Sequence, residues 1–205
     1  RAASAPHAEH EGPVYPGTCA GRSAAQAVGL APGSFAWRFR IPQAASTFND
    51  LVLGPTTIDL RHLGGDFVVW KTTNTPAYQL AVVVDDAAMG VTEVLRGDDL
   101  IPSTPRQLAL YKALGLRAPR FGHVPLVVGP DGRRLAKRHG DTRLATLREH
   151  GVAAPLLVGL LAWSCGWLPE IAPLTPRELL PRFRLETIPR APLELTPQLL
   201  EKISG

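Results

Sequence analysis

Lysine, cysteine and aromatic rings are all scarce in this chain. Lysine occurs only at Lys71, Lys112, Lys137 and Lys202, so the formal charge of +4 and the pI near 9.4 rest mostly on arginine. So mild an excess suits a polyanionic partner without requiring one. Cys19 and Cys165 are the only cysteines and lie far apart. That spacing argues against a disulfide framework and makes a reducing cytoplasm the expected compartment. Long apolar runs are missing too. The most apolar stretch, VAAPLLVGLLAWSCGWL from Val152 to Leu168, falls short of the roughly 20 residues of a membrane span. It also holds Pro155, Gly159 and Gly166, so a buried helix is expected and no membrane partner. There is no secretory signal, repeat or low-complexity tract, and Arg1 stands where a methionine would, so an upstream segment is expected.

With 205 residues, of which 45% are hydrophobic, the chain can build one substantial domain, alone or with a small appendage. The first fifty residues carry little periodicity apart from SFAWRFRIP, Ser34 to Pro42, which reads as an isolated strand. Three further strands are expected at Asp66 to Lys71, Tyr78 to Val84 and Val91 to Leu95, the middle one apolar enough to be covered on both faces. Asp85 and Asp86 would then sit near a strand's carboxyl end, where open α/β sheets bind ligands, or would cap the following turn. Ser103 to Leu116 has helical spacing, with Ser103 or Thr104 as N-cap, and His123 to Val128 is a short apolar run closed by a Pro-Asp-Gly turn. Strand, helix, strand outlines an open parallel sheet of the α/β class. Beyond Asp141 the pattern becomes helical, at Thr142 to His150, Ala154 to Trp167 and Thr175 to Phe183.

The densest positive charge is in GPDGRRLAKRHGD, where a turn precedes Arg133, Arg134, Lys137 and Arg138. Alone, such a run reads as a solvated loop. Two stretches together say more: TPAYQLAVVVDDAAMGVTEVLRGDDLIPSTPRQLALYKALG and HVPLVVGPDGRRLAKRHGD. In order and separation they resemble the class I glutamyl-tRNA synthetase family, and the similarity runs from about Asp66 to about Phe183. The resemblance implies the latter part of a Rossmann-type nucleotide-binding fold, with an inserted small domain at 1–76, the second half of the catalytic domain at 77–141 and a helical segment at 142–205.

It also implies an activity, ATP-dependent activation of glutamate, with Mg2+ accompanying the ATP. The basic loop matches the family's KMSKS signature as Arg134-Leu135-Ala136-Lys137-Arg138, with arginine at the first lysine position and alanine in place of serine. Lys137, flanked by Arg134 and Arg138, would stabilise the ATP triphosphate; a compact ammonium on a flexible stem fits that task. Tyr78 and Arg96 match the positions that contact L-glutamate, and a carboxylate substrate calls for a guanidinium fork. Read singly, Tyr78 is better taken as a core aromatic at a strand start, and Arg96 as a surface partner of Asp98 or Asp99.

YPGTC, with Tyr15 and Cys19, resembles the latter half of a zinc site found in some members, but the two upstream cysteines are missing; His7 and His10 are the available substitutes. Cys165, between Trp163 and Trp167, reads as core packing. The family's early His-x-Gly-His motif is absent, and residues 142–205 look too few for an anticodon-binding domain. The wording PAYQLAVVVDD resembles the branch of the family that transfers glutamate to the queuosine base of tRNA(Asp). Charging of tRNA(Glu), or a truncated non-catalytic tRNA-binding module, are the alternatives.

Overall fold

The computed structural model describes residues 15–31, 33–41, 45–135 and 144–204. The chain divides into two compact units, Arg1–His123 and Val124–Gly205.

In the first unit, β1 (Trp37–Phe39) pairs antiparallel with β4 (Phe67–Trp70). The expected strand at 34–42 is therefore shorter and is not isolated. Phe39 lies opposite Phe67, with ring centroids 5.5 Å apart. Between these strands β2 (Ala45–Asp50) and β3 (Gly54–Asp59) form an antiparallel hairpin that the sequence pattern did not announce. The hairpin closes on Asp50, whose Oδ1 accepts the backbone N–H groups of Val52 and Leu53, each at 2.9 Å, while Gly54 takes φ +78°. A short carboxylate holding its own turn, followed by a residue free of the Cβ penalty, is the local reason that the chain reverses here.

The segment expected as a strand at 78–84 is instead a helix, α1 (Tyr78–Ala88). Three consecutive valines at 82–84 bias the reading toward strand, because β-branched residues lose χ1 freedom in a helix. That cost is a few tenths of a kcal/mol each, and burial outweighs it. Gln79 and Val83, one helical turn apart, are buried, whereas Val84 and Asp85 face solvent. Asp85 and Asp86 therefore occupy the last turn of a helix and not the carboxyl end of a strand.

Then follow β5 (Glu93–Gly97), α2 (Ser103–Ala113) and β6 (Arg120–Val124), with β5 and β6 hydrogen-bonded to each other. This strand–helix–strand run was legible, but the described strands form four two-stranded sheets and not one open parallel sheet. Phe67, Val83, Leu110, Tyr111 and Phe121 make the core of this unit.

The second unit holds β7 (Val127–Val128), α3 (Leu144–Glu149), α4 (Ala154–Ser164), α5 (Pro176–Leu179), β8 (Leu193–Glu194) and α6 (Pro197–Ser204). β7 and β8 are parallel, a pairing across more than sixty intervening residues that no local pattern reveals. The Pro-Asp-Gly turn after β7 forms as expected: Gly132 has φ +70° and Asp131 Oδ1 accepts the Arg133 N–H at 3.0 Å. α4 is the expected buried helix, with Leu160 and Ala162 at its heart. Thr175 caps α5, its hydroxyl accepting the Glu178 N–H while the Glu178 carboxylate accepts from the Thr175 N–H. Cys165 is half-buried beside Ser164, and burial raises its thiol pKa, in keeping with core packing. No described helix is long and apolar enough to cross a membrane.

Candidate active site

The centre of chemical interest lies in the first unit, where the end of the β2–β3 hairpin, β5, β6 and the start of α2 converge. Leu51 N–H donates to the Phe121 carbonyl at 2.8 Å, tying the hairpin end to β6. Gly122 permits this approach, because a Cβ there would come within 3.2 Å of Leu51 Cβ and 3.0 Å of Leu95 Cδ1. The next residue, His123, is fully buried, 0% exposed, and Asp50 opposite it is 2% exposed.

His123 Nδ1 lies 2.6 Å from Asp50 Oδ2, and the His123 backbone N–H donates to Asp50 Oδ1 at 3.2 Å. On the other edge of the ring, Nε2 faces the Arg96 Nε–H at 3.1 Å and the Thr104 hydroxyl at 3.2 Å. Arginine only donates, so Nε2 is the acceptor and the proton sits on Nδ1, directed at Asp50. The imidazole is thus neutral. Burial lowers its pKa and the Arg96 cation adds to that, against the opposing pull of Asp50. Burial pushes the Asp50 carboxyl up, but the N–H of Leu53, the imidazole and the N–H groups of Val52 and His123 outweigh it and hold Asp50 below its ordinary value.

This arrangement has a consequence for stability. The unfolded chain protonates His123 at about 6.5, above the folded value, so the unfolded state binds more protons as pH falls below 6.5. Stability present above that pH is lost as it falls toward the depressed folded pKa, by up to about 1.4 kcal/mol per pH unit. Urea unfolding midpoints measured from pH 7.5 to 4.5 are expected to show this decline, and His123→Gln to remove it. A wild-type midpoint flat across that window would contradict the buried neutral imidazole.

Arg96 is held on three sides. Its Nη2 donates to Thr104 Oγ1 at 2.8 Å and to the Leu100 carbonyl at 3.3 Å, and its guanidinium carbon lies 5.1 Å from the centroid of the Phe121 ring. Half-buried and so tethered, it is not a surface residue. Burial lowers its pKa, while the neighbouring Tyr78, Asp86, Asp99 and Asp50 act in the opposite sense. The cation thus stays charged at any physiological pH. Nη1 has no hydrogen-bond partner among the described residues. The expected fork is therefore two-thirds committed to the protein, leaving one nitrogen to meet a ligand.

Tyr78, the first residue of α1, is half-buried and near enough to Arg96 to act on its charge, so the two residues matched to glutamate do come together. Ser103 and Thr104 were expected as N-caps of α2; neither caps it. Both are buried and point inward, Ser103 to Gln79 Nε2 at 3.0 Å and Thr104 to Arg96 and His123. Gln79 in turn accepts from Gln107 Nε2 at 2.9 Å. A helix whose first two turns bury Ser103, Thr104, Arg106 and Gln107 is unusual, since burying polar groups is costly and most that are buried are hydrogen-bonded.

Asp50 and His123 escaped the sequence reading as site residues, and Thr104 entered it only as a helix cap. A lone histidine within an apolar strand was the only signal, and its partner lies 73 residues away.

Of the basic loop, Arg134 lies within the described residues, exposed and bridged to Val128. Lys137 and Arg138 lie outside them. Tyr15 and Cys19 are close, the phenol oxygen accepting the Cys19 N–H at 2.6 Å. His7 and His10 lie outside the described residues. A phenol and one thiol do not make up the four donors of a tetrahedral zinc, and no group of three or more His, Cys, Asp or Glu among the described residues could hold a metal ion.

Residues 11–171 match the family of class I tRNA synthetases (E and Q), catalytic domain, and the chain belongs to that family. It is 48% identical to a glutamyl-Q tRNA(Asp) synthetase of Symbiobacterium thermophilum over 99% of its own length, and 41% identical to one from Nitratidesulfovibrio vulgaris over 98%. The chain spans 64% and 63% of those two relatives. Its fold is similar to a glutamate tRNA ligase from Elizabethkingia meningosepticum, solved in complex with its amino acid, with TM-score 0.67 and 28% identity over 81% of this chain and 37% of that one.

Proposed function

We propose that the protein activates L-glutamate with ATP and transfers it to the queuosine base of tRNA(Asp), in the cytoplasm. The observation that carries this reading is the tethered Arg96 cation, with Tyr78 near enough to act on its charge, in a chain similar along 99% of its length to a glutamyl-Q tRNA(Asp) synthetase. Arg96 offsets the charge of a glutamate carboxylate, and Tyr78 contributes to orienting the substrate. The glutamate α-carboxylate oxygen attacks the α-phosphorus of ATP as the bond to pyrophosphate breaks. Such a step needs alignment and cations more than proton transfer. Lys137, with Arg134 and Arg138, offsets the charge gathering on pyrophosphate, and Mg2+ accompanies the ATP.

The test is transfer of labelled glutamate by the intact protein to three RNAs: native tRNA(Asp), a tRNA(Asp) transcript lacking queuosine, and tRNA(Glu). Label on native tRNA(Asp) alone is the expected result. Label on the 3′ end of tRNA(Glu) would replace this reading with that of a glutamyl-tRNA synthetase. Binding of tRNA without glutamate-dependent ATP–pyrophosphate exchange would make it a non-catalytic module. Lys137→Ala is expected to slow that exchange by about 2–4 kcal/mol of activation free energy, the cost of losing one preorganised charge contact. An unchanged exchange rate would remove Lys137 from the site.

A further inference from the structure

Arg96 is fixed through a chain of buried groups that the glutamate reading does not itself require. We propose that Asp50 and His123 are positioning residues for Arg96: Asp50 selects the His123 tautomer whose Nε2 accepts from Arg96, and this acceptor sets the direction of the guanidinium toward glutamate. The inference rests on Arg96 binding glutamate.

The division of labour between the two Asp50 oxygens carries the argument. Oδ1 accepts three backbone N–H groups, from Val52 and Leu53 at 2.9 Å each and from His123 at 3.2 Å. Oδ2 is left for His123 Nδ1 at 2.6 Å. An asparagine at this position would keep its oxygen on the three backbone donors, because an amide nitrogen turned toward them would set donor against donor at the buried His123 N–H and the part-buried Val52 and Leu53 N–H groups. Its NH2 group would then point at Nδ1 and force that nitrogen to accept. The ring proton would move to Nε2, where it meets the Arg96 Nε–H, which also donates. Two donors cannot share that contact. Thr104 Oγ1 would take the imidazole proton, and Arg96 would lose the acceptor that fixes its Nε. Asp50→Asn is thus nearly isosteric and leaves the hairpin turn intact, yet inverts the tautomer, a change that orientation-dependent sites tolerate poorly.

The experiment combines nitrogen-15 NMR of histidine tautomers with glutamate kinetics on the intact protein. In wild type at neutral pH, His123 is expected as the Nδ1–H tautomer; an Nε2–H tautomer or an imidazolium overturns the proposal outright. In Asp50→Asn the proton is expected on Nε2, with the KM for glutamate raised tenfold or more and the KM for ATP within twofold of wild type. An inverted tautomer with an unchanged glutamate KM overturns the proposal, as does a tautomer that stays on Nδ1.

A second pair of variants covers the case in which Asp50→Asn does not fold. His123→Gln keeps an oxygen able to accept from Arg96 where Nε2 was, and His123→Leu keeps none. The glutamate KM of the leucine variant is expected to exceed that of the glutamine variant at least fivefold, and equal values overturn the proposal. Arg96→Ala separates the two ideas. If it leaves the glutamate KM unchanged, Arg96 is not the glutamate contact and the proposal falls with that reading. If it raises KM while the Asp50 and His123 variants do not, only the positioning chain fails.

Discussion

Arg96→Ala is expected to raise the KM for glutamate between 100- and 1000-fold, with a much smaller change in the KM for ATP. A half-buried cation tethered to Thr104, His123 and the Leu100 carbonyl cannot relax away from its ligand, and the protein has already spent the entropy of fixing it. Truncating one partner of a desolvated charge pair costs about 2–5 kcal/mol, because the other charge stays buried and unpaired. About 3–4 kcal/mol corresponds to the range given. Arg96→Lys should recover little, since one ammonium cannot supply the separate donors that His123, Thr104, Leu100 and a substrate carboxylate require. The alanine variant also removes the cation that opposes protonation of His123, so the imidazole should titrate closer to 6.5. Steady-state kinetics with varied glutamate, and a histidine NMR titration of the same variant, check both statements. A variant whose ATP dependence moved and whose glutamate dependence did not would place Arg96 on the nucleotide instead.

The second large effect concerns stability and has a sign that helix propensity gets wrong. Gly159 is in the middle of α4, where alanine is favoured over glycine by about 1 kcal/mol. Yet a Cβ on Gly159 would overlap the carbonyl oxygen of Ala172 and lie 2.8 Å from its carbonyl carbon. Backbone atoms cannot swing aside as a side-chain end can. The segment carrying Ala172 would have to retreat, or α4 to shift, and α4 contributes Leu160 to one hydrophobic cluster and Ala162 to another. Overpacking costs about 1–3 kcal/mol, and here both clusters are disturbed by the same displacement. Gly159→Ala is therefore expected to destabilise the second unit by about 3 kcal/mol. Trp163 and Trp167 belong to this unit and report its unfolding by fluorescence in urea. A variant more stable than wild type would show that the close approach is not there.

The basic loop, Tyr78 and Arg96 were singled out by resemblance to the family's motifs, and the two cationic features agree with what a phosphate or a carboxylate calls for. The Pro-Asp-Gly turn at Gly132 was read correctly because its geometry is local. The reading failed where local preference and tertiary burial disagree. Val82, Val83 and Val84 prefer strand, but Val83 is completely buried on a helix because it and Gln79 present one face to α2. Ser103 and Thr104 are good caps by type, but their hydroxyls are taken by Gln79 and Arg96, which local propensity cannot anticipate.

The amino-acid sequence by itself determined the family, and resemblance to that family's motifs singled out the cationic loop, Tyr78 and Arg96 as candidates, because motif residues keep their order and separation along the chain. Only the tertiary structure decided that Arg96 is a tethered cation and not a surface one. That decision needed Asp50, Thr104 and His123, brought from a hairpin end, a helix start and a strand to within hydrogen-bonding distance. Hydrogen bonding then fixes what no pattern encodes: Arg96, which only donates, makes Nε2 of His123 the acceptor, so the ring proton sits on Nδ1 and faces Asp50.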